Sequence, residues 1–294
     1  KMCMQLGHAG RKGSTKLAWD GMDLPLDVGN WPIVSASPIP YRDESATPLE
    51  LTVEQMAQIT NEFVRATKNA ARAGFDMLEM HAAHGYLLAS FLSPLTNQRS
   101  DDYGGPVENR LRFPLKVFAA MREVWPESKP MSVRISATDW YQGGLDEADL
   151  LAICNAFKQA GVDVINVSTG QTVSFEKPVY GRMFQVPFAD KIKHRVGIPT
   201  IVAGNITNAD QVNTVILSGR ADLVALARPH LTNTQFTSDA AARLGFQAQH
   251  WPNPYLSGKF QAYLVGEREE EERRNMQLAL KPASHQLKDG DHDA

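Results

Sequence analysis

The chain has 294 residues, of which 43% are hydrophobic and 21% charged, with a formal net charge of −3. This composition is ordinary for a globular protein with a sizeable core, and the slight negative charge argues against a nucleic-acid or anionic-membrane partner. The two cysteines, Cys3 and Cys154, exclude a disulfide framework or an iron–sulfur cluster built from this chain alone, which fits a cytoplasmic location. No run is apolar and long enough to predict a membrane span.

Short apolar runs alternate with helical segments along the chain. We predict strands at residues 2–6, 75–80, 131–135, 162–167, 200–203 and 223–226. We predict helices at residues 53–73, 110–124, 147–160, 184–195, 209–218 and 234–244. This alternation indicates an α/β fold with a parallel sheet whose strands are covered on both faces. A (β/α)8 TIM barrel without its first two β/α units accounts for six strands and for a start within a strand; a doubly wound sheet is the alternative.

The strand–helix pattern ends near residue 246 and predicts three regions. Residues 1–246 are expected to form a partial barrel carrying strands 3–8, in which the long loop 7–50 overhangs the substrate face. Residues 247–280 are expected to form a C-terminal extension with a charged helix at 267–274, and residues 281–294 a disordered tail. The turn at 251–255 is a candidate contact with a neighbouring subunit, so a homo-oligomer is kept as a hypothesis.

The segment 75–86, FDMLEMHAAHGY, carries the main functional signal. It is interpreted as a strand that ends at His81, followed by a loop with His84 and Tyr86, the two imidazoles converging on one point. Neutral imidazoles donate N–H groups to a substrate oxygen and a phenol delivers a proton, so all three are candidate catalytic and substrate-binding residues. A metal pair, or two ordinary buried histidines, is the alternative.

Polar residues inside or after other strands suggest a cofactor. Gln5 is an amide in the first strand, and a barrel-facing amide there needs a partner. Arg134 is a cation in a buried strand, which predicts either a bound anion or a salt bridge to a carboxylate such as Glu79. The last two strands end at residues that favour a phosphate, through close backbone approach, free N–H groups and a guanidinium. These are Gly204, Asn205, Ala227 and Arg228. Together they predict a phosphorylated planar cofactor across the barrel mouth.

Three segments resemble those of the old yellow enzymes, flavin-dependent ene-reductases built on an eight-stranded barrel. They are QLGHAGRK at 5–12, HAAHGYLL at 81–88 and DDYGGPVENR at 101–110, and the resemblance extends over residues 2–244. It implies FMN as cofactor and NADPH or NADH as reductant. The implied FMN contacts are Gln5 at the pyrimidine edge, Arg134 near N1 and C2, and Gly204, Asn205, Ala227 and Arg228 at the phosphate. His81 and His84 would bind the activating carbonyl oxygen, and Tyr86 would protonate the α carbon after hydride reaches the β carbon.

A closer resemblance is to the reductase domain of the anthraniloyl-CoA monooxygenase and salicylyl-CoA 5-hydroxylase proteins. It is carried by residues 167–172, 180–185 and 227–231, and it implies an enone or an aryl-CoA-derived dienone as substrate. The two family strands that contact flavin N5 and O4 have no counterpart here, so FMN retention by this chain is an open expectation. A metal-dependent TIM-barrel hydrolase using His81 and His84, and a non-catalytic barrel fragment of a larger enzyme, are the alternative functions.

Overall fold

Six parallel strands form the main sheet. The eight strands among residues 1–279 are β1 Cys3–Leu6, β2 Val34–Ser35, β3 Leu49–Glu50, β4 Met77–Ala82, β5 Met131–Ser136, β6 Val164–Ser168, β7 Thr200–Val202 and β8 Leu223–Val224. In the main sheet their order is β1-β4-β5-β6-β7-β8, and β2 and β3 form a separate parallel pair. These elements come from a computed structural model that describes residues 1–279.

Helices connect successive strands of the sheet. They are α1 Ala18–Gly21, α2 Val53–Arg72, α3 Leu87–Leu92, α4 Val107–Val124, α5 Glu147–Gln159, α6 Val186–Val196, α7 Ala209–Leu217, α8 Arg228–Thr232, α9 Phe236–Arg243 and α10 Leu256–Ala279. Helices α2, α4, α5 and α6 contact one another in chain order, as in one continuous helical layer. Because the strand order never reverses, the topology is that of a (β/α) barrel, whereas a doubly wound sheet needs a reversal point.

Three of the connecting helices, α2, α5 and α7, begin at residues whose side chains satisfy free backbone N–H groups. The Thr52 hydroxyl accepts from the Gln55 N–H at 3.2 Å while the Gln55 side chain accepts from the Thr52 N–H at 3.0 Å, so the expected capping box of α2 is confirmed. Asp146 caps α5 and Asn208 caps α7 in the same way. These caps fix where each helix starts and therefore how long each strand-to-helix loop is.

The two faces of the central strands differ in chemistry, which corrects the expectation of continuous apolarity. On β4, Leu78 and Met80 are fully buried among apolar neighbours, whereas Glu79 and His81 alternate with them on the opposite face. The register pairs Glu79 with Ser132, and His81 with Arg134. The strand sequences are apolar on average because their outward-facing residues are apolar. Their inward-facing residues form a row of hydrogen-bonded polar side chains.

The element predictions are confirmed to within a few residues for all six strands and for the six long helices. Two details differ. Strand β4 continues one residue beyond His81 to Ala82, so His81 is not its last residue. Helix α3 was not expected, because its six residues are all buried and show no amphipathic period. The expected structureless loop 7–50 contains α1, β2 and a 3-10 turn at Gly10–Lys12.

The chain forms two compact units, Lys1–Ala225 and Leu226–Ala294, the second described through Ala279. In the second unit α9 packs on α10, burying Ala241 and Ala242 against Tyr263 and Gly266. The charged run 267–274 lies within α10. The boundary at 246 stays a prediction, and the tail predicted at 281–294 lies outside the described residues. None of the helices in residues 1–279 is long and apolar enough to cross a membrane.

Candidate active site

His81, His84 and Tyr86 form one cluster at the end of β4. The two histidine rings meet edge to face with centroids 5.0 Å apart, and His81 Nε2 lies 3.2 Å from His84 Nδ1. The Tyr86 ring is also 5.0 Å from the His81 ring. His84 Nε2 lies 2.7 Å from the Ser168 hydroxyl at the end of β6. The convergence predicted for the three residues is therefore present within the first unit.

The loop after β4 is held by its neighbours on three sides. The His84 N–H donates to the Ser136 hydroxyl at 2.9 Å, and the His84 carbonyl accepts from Lys12 Nζ at 3.2 Å. His84 has a φ of 61°, a left-handed conformation that a non-glycine residue keeps only when its surroundings fix it. Gly85 follows with a φ of 70°, and a Cβ there would lie 2.6 Å from the Gln171 carbonyl. The imidazoles consequently sit on a rigid backbone.

Arg134 lies beside His81 in the sheet and makes no salt bridge with Glu79. Both Glu79 oxygens are taken by neutral donors, at 2.7 Å from Gln5 Nε2, 2.9 Å from Ser132 Oγ and 2.8 Å from Asn166 Nδ2. Arg134 forms no ion pair among the described residues, and its buried Nε has no hydrogen-bond partner there. The ion-pair alternative for Arg134 is therefore wrong, and the guanidinium faces the site with donors to spare.

The electrostatics of the cluster favour neutral imidazoles and an anionic ligand. Burial, reinforced by Arg134 and Lys12, lowers the pKa of His81 to about 4. Burial, followed by Arg134 and then His81, lowers the pKa of His84 to about 3. Burial also lowers the pKa of Lys12 to about 8. With the carboxylate of Glu79 enclosed by its donors, the charge that faces the histidines comes from the two cations.

Gly204 and Asn205, which follow β7, are packed closely against α6. Gly204 has a φ of 100°, and a Cβ there would lie 2.8 Å from Cγ of Gln185, so glycine is required both for conformation and for space. Asn205 is left-handed too, with a φ of 52°, and its side chain donates to the Gly181 carbonyl at 3.1 Å. Ala227 and Arg228 open α8 in the second unit. The convergence of all four residues on one phosphate stays a prediction.

The profile of the NADH:flavin oxidoreductase / NADH oxidase family matches residues 1–246. The chain belongs to this family. The expected old-yellow-enzyme resemblance is thereby confirmed, as is the class of FMN-dependent NAD(P)H oxidoreductases. The chain is 43% identical over 245 residues to the NADPH dehydrogenase of Listeria welshimeri, covering 83% of this chain and 68% of that protein.

Two solved structures share the fold of this chain. Morphinone reductase in complex with tetrahydroNAD matches with a TM-score of 0.63 and 26% identity, over 85% of this chain and 67% of its own. A complex of 2-naphthoyl-CoA reductase with 2-naphthoyl-CoA matches with a TM-score of 0.64 and 23% identity, over 69% of this chain and 32% of its own. The TIM-barrel fold class predicted from the sequence is confirmed.

The residues present fit the flavin mononucleotide of this family. The buried Arg134 Nε is a donor without a protein acceptor, which a flavin carbonyl or ring nitrogen would satisfy. Gln5 donates one amide hydrogen to Glu79 from an exposed position, so its amide oxygen is free to accept from a ring N–H. Gly204 leaves no room for a Cβ beside Gln185, so a glycine is needed to shape the loop after β7 that is expected at the phosphate.

The metal-hydrolase alternative finds no support in the donor set. Among residues 1–279 no group of three or more His, Cys, Asp or Glu side chains is arranged to hold a metal ion. Residues that support the cluster were not predicted from the sequence. Ser136 and Ser168 form hydrogen bonds with His84, and Gln185 Nε2 lies 3.4 Å from Ser168 Oγ. The two serines occupy inward positions at strand ends, where a period-two count along β5 and β6 would have found them.

Proposed function

We propose that this chain carries the active site of an FMN-dependent ene-reductase, which uses NAD(P)H to reduce a carbon–carbon double bond conjugated to a carbonyl. The observation that carries the proposal is the pair of neutral imidazoles beside a phenol, next to a guanidinium whose buried Nε has no partner. A hydrolytic metal site would need further ligands, and a merely structural histidine pair would not need Arg134 beside it.

His81 and His84 would bind the substrate through its carbonyl oxygen. Because burial and neighbouring cations keep both rings neutral at pH 7, each ring has an N–H to donate and no formal charge of its own. Hydrogen bonds to that oxygen withdraw electrons from the conjugated bond and stabilise the negative charge that develops there during reduction. Lys12 and Ser136 hold the backbone on which His84 is mounted.

Tyr86 is the proton donor to the α carbon in this proposal. Its ring stands edge to face with His81, which places the phenol beside the histidine pair that would bind the carbonyl. No hydrogen bond within residues 1–279 occupies that hydroxyl as a donor. The hydride for the β carbon would come from FMN, since hydride transfer is the chemistry that this cofactor supplies when bound. Gln5 and Arg134 would orient the ring system, and Arg134 would favour its negatively charged form.

The test is a spectrum of the purified chain titrated first with FMN and then with phenol. The expected result is a flavin absorbance band that gains a long-wavelength charge-transfer shoulder when phenol binds, and loses that shoulder in His81→Ala. Cyclohex-2-enone should then be reduced with consumption of NADPH or NADH. Failure of the chain to bind both FMN and phenol would contradict the proposal, and bound zinc with amide hydrolysis would favour the hydrolase.

For the substrate class we propose an aryl-CoA-derived dienone. Support comes from the segments 167–172, 180–185 and 227–231, which resemble the reductase domain of aryl-CoA monooxygenases and hydroxylases. Exposed aromatic residues on the loop after β6, Phe175 at 53% and Tyr180 at 68% exposure, offer stacking surfaces for a flat acyl group or adenine. A dienone CoA thioester should be reduced with a higher kcat/KM than the same dienone as a free acid, and equal values would remove this refinement.

A further inference from the structure

The hydrogen bonds around the two histidines fix which ring nitrogen carries each proton. The Ala83 N–H donates to His81 Nδ1 at 3.1 Å, so Nδ1 is an acceptor and the neutral ring has its proton on Nε2. The 3.2 Å contact is then a donation from His81 Nε2 to His84 Nδ1. His84 in turn carries its proton on Nε2 and donates it to Ser168 Oγ at 2.7 Å.

In this arrangement both ring hydrogens of the pair are already donated within the protein. Of the two nitrogens that face each other, only His81 Nε2 has a hydrogen, and that hydrogen is already used on His84. One carbonyl oxygen can receive hydrogen bonds from both rings only if His84 also has a hydrogen on Nδ1. Adding a second proton to His84 is disfavoured, because the ring is buried among other positive groups.

Swinging the His84 ring is disfavoured as well. Its N–H, its carbonyl and its Nε2 are each hydrogen-bonded, to Ser136, Lys12 and Ser168 respectively. The backbone is left-handed, and the following glycine contacts the opposite loop without room for a Cβ. With the ring fixed, the remaining route is to move its single proton from one nitrogen to the other.

We propose that Ser168 is the positioning residue that makes His84 a hydrogen-bond donor to the substrate. When His84 changes tautomer, the Ser168 hydroxyl changes from hydrogen-bond acceptor to donor. The inference rests on the proposed function, since it concerns the oxygen that the pair would bind. In the bound state Ser168 O–H donates to His84 Nε2, and both His84 Nδ1–H and His81 Nε2–H donate to the oxygen. His84 carries one ring proton before and after substrate binds. A proton leaves Nε2 and one returns to Nδ1 by exchange with water, while Ser168 keeps its hydroxyl proton.

Ser168 is suited to this role by its surroundings. It is 4% exposed, and a hydroxyl is both donor and acceptor, so it satisfies either tautomer of His84 without moving. Gln185 Nε2 lies 3.4 Å from the Ser168 oxygen and 3.1 Å from the Thr169 hydroxyl, which keeps that oxygen in place while its hydrogen rotates. An alanine at 168 would leave the Nδ1–H tautomer of His84 without a donor on its far side.

The test is ¹⁵N NMR of the histidine rings in the FMN-loaded, oxidised protein, with and without cyclohex-2-enone, which cannot turn over without a reductant. Without the enone, both His81 and His84 should be protonated on Nε2. At saturation His84 alone should move its proton to Nδ1. Ser168→Ala should weaken enone binding about tenfold, the value of one neutral hydrogen bond, and abolish the His84 switch. Ser168→Thr, which keeps the hydroxyl, should retain both.

Thr200→Val is the matched control, because it removes a buried strand hydroxyl that has no hydrogen-bond partner among the described residues and does not touch His84. It should leave the tautomers and enone affinity as in the wild type. Suppose that enone changes the flavin spectrum while His84 stays protonated on Nε2 or becomes doubly protonated. This result would overturn the inference about Ser168 and leave the proposed function standing. A protein that binds FMN but no enone or phenol would overturn both.

Discussion

The acid sensitivity of the fold should come in part from the two imidazoles of the site. In the unfolded chain His81 titrates near 6.5, whereas in the folded protein burial and Arg134 lower its pKa to about 4. A folded pKa below the unfolded one means that the unfolded state binds more protons at intermediate pH. The stability associated with this group is therefore complete above pH 6.5 and is lost as the pH falls towards 4.

The size of the effect follows from those two values. Between pH 7 and pH 5 the unfolded imidazole goes from mostly neutral to mostly charged, while the folded one stays mostly neutral. Integrating the difference in bound protons gives a loss of about 1.8 kcal/mol for His81 alone. His84, whose pKa is lowered to about 3, acts in the same direction. That is a substantial share of the 5–15 kcal/mol typical of a domain.

Urea unfolding of the FMN-free chain at pH 7 and pH 5, followed by circular dichroism, measures this loss. His81→Gln keeps a neutral hydrogen-bonding side chain and should lose about 1.8 kcal/mol less than the wild type over the same interval. His250→Gln is the control, since that side chain is exposed and makes no hydrogen bond or ion pair among the described residues, and it should lose as much as the wild type. Identical losses in all three proteins would show that the buried imidazoles are not the source, and the description of the site as neutral would fail.

Three further predictions concern the roles proposed for individual residues. Tyr86→Phe should lower the rate of enone reduction by about 10²- to 10⁴-fold, the usual contribution of a general acid, while stopped-flow flavin reduction by NADPH stays unchanged; an equal fall in both would contradict the assignment. Arg134→Met should make the two-electron potential of bound flavin about 30–60 mV more negative, as loss of a charged hydrogen bond would, whereas Arg195→Met, 65% exposed, should not change it. Gly204→Ala should lower the free energy of unfolding by about 1–3 kcal/mol and weaken FMN binding. Gly219→Ala shares the positive φ, at 72°, but meets nothing within 4 Å, so an equal loss of FMN affinity would refute the close-approach argument.

The sequence was sufficient for the fold class because local and global signals agree. The strand at 131–136 is short, apolar on one face and followed by a capped helix, and the alternation of strand and helix repeats along the sheet. The limit lay in the inward faces. Glu79 reads as a partner for Arg134 when only charge is considered, but three neutral donors enclose its oxygens, and a one-dimensional pattern does not reveal which donors reach it.

The site residues divide in the same way. His81, His84 and Tyr86 were found because three functional groups fall within six positions of one strand end. Ser168 was not singled out, because it contacts His84 across 84 positions of sequence through strand pairing. Polar residues at the ends of parallel strands meet at one edge of the sheet, so counting inward positions on every strand would recover such partners before a structure is known.

The polar row inside the sheet is itself an argument for a bound anion. A buried donor without an acceptor costs about 1–3 kcal/mol, and the described residues offer nothing that repays this cost at Arg134 Nε. Replacing the guanidinium by an apolar side chain would be expected to stabilise the empty protein, while a retained cation is useful only if something negative binds beside it. The histidines complement this cation. Burial, reinforced by Arg134, keeps both rings neutral, so they offer hydrogen-bond donors to an oxygen rather than charge to a carboxylate. The buried Arg134 donor and the buried neutral imidazoles are each unfavourable for the free energy of folding of the empty protein. An electron-rich ring and a polarised oxygen bound between them would offset that cost.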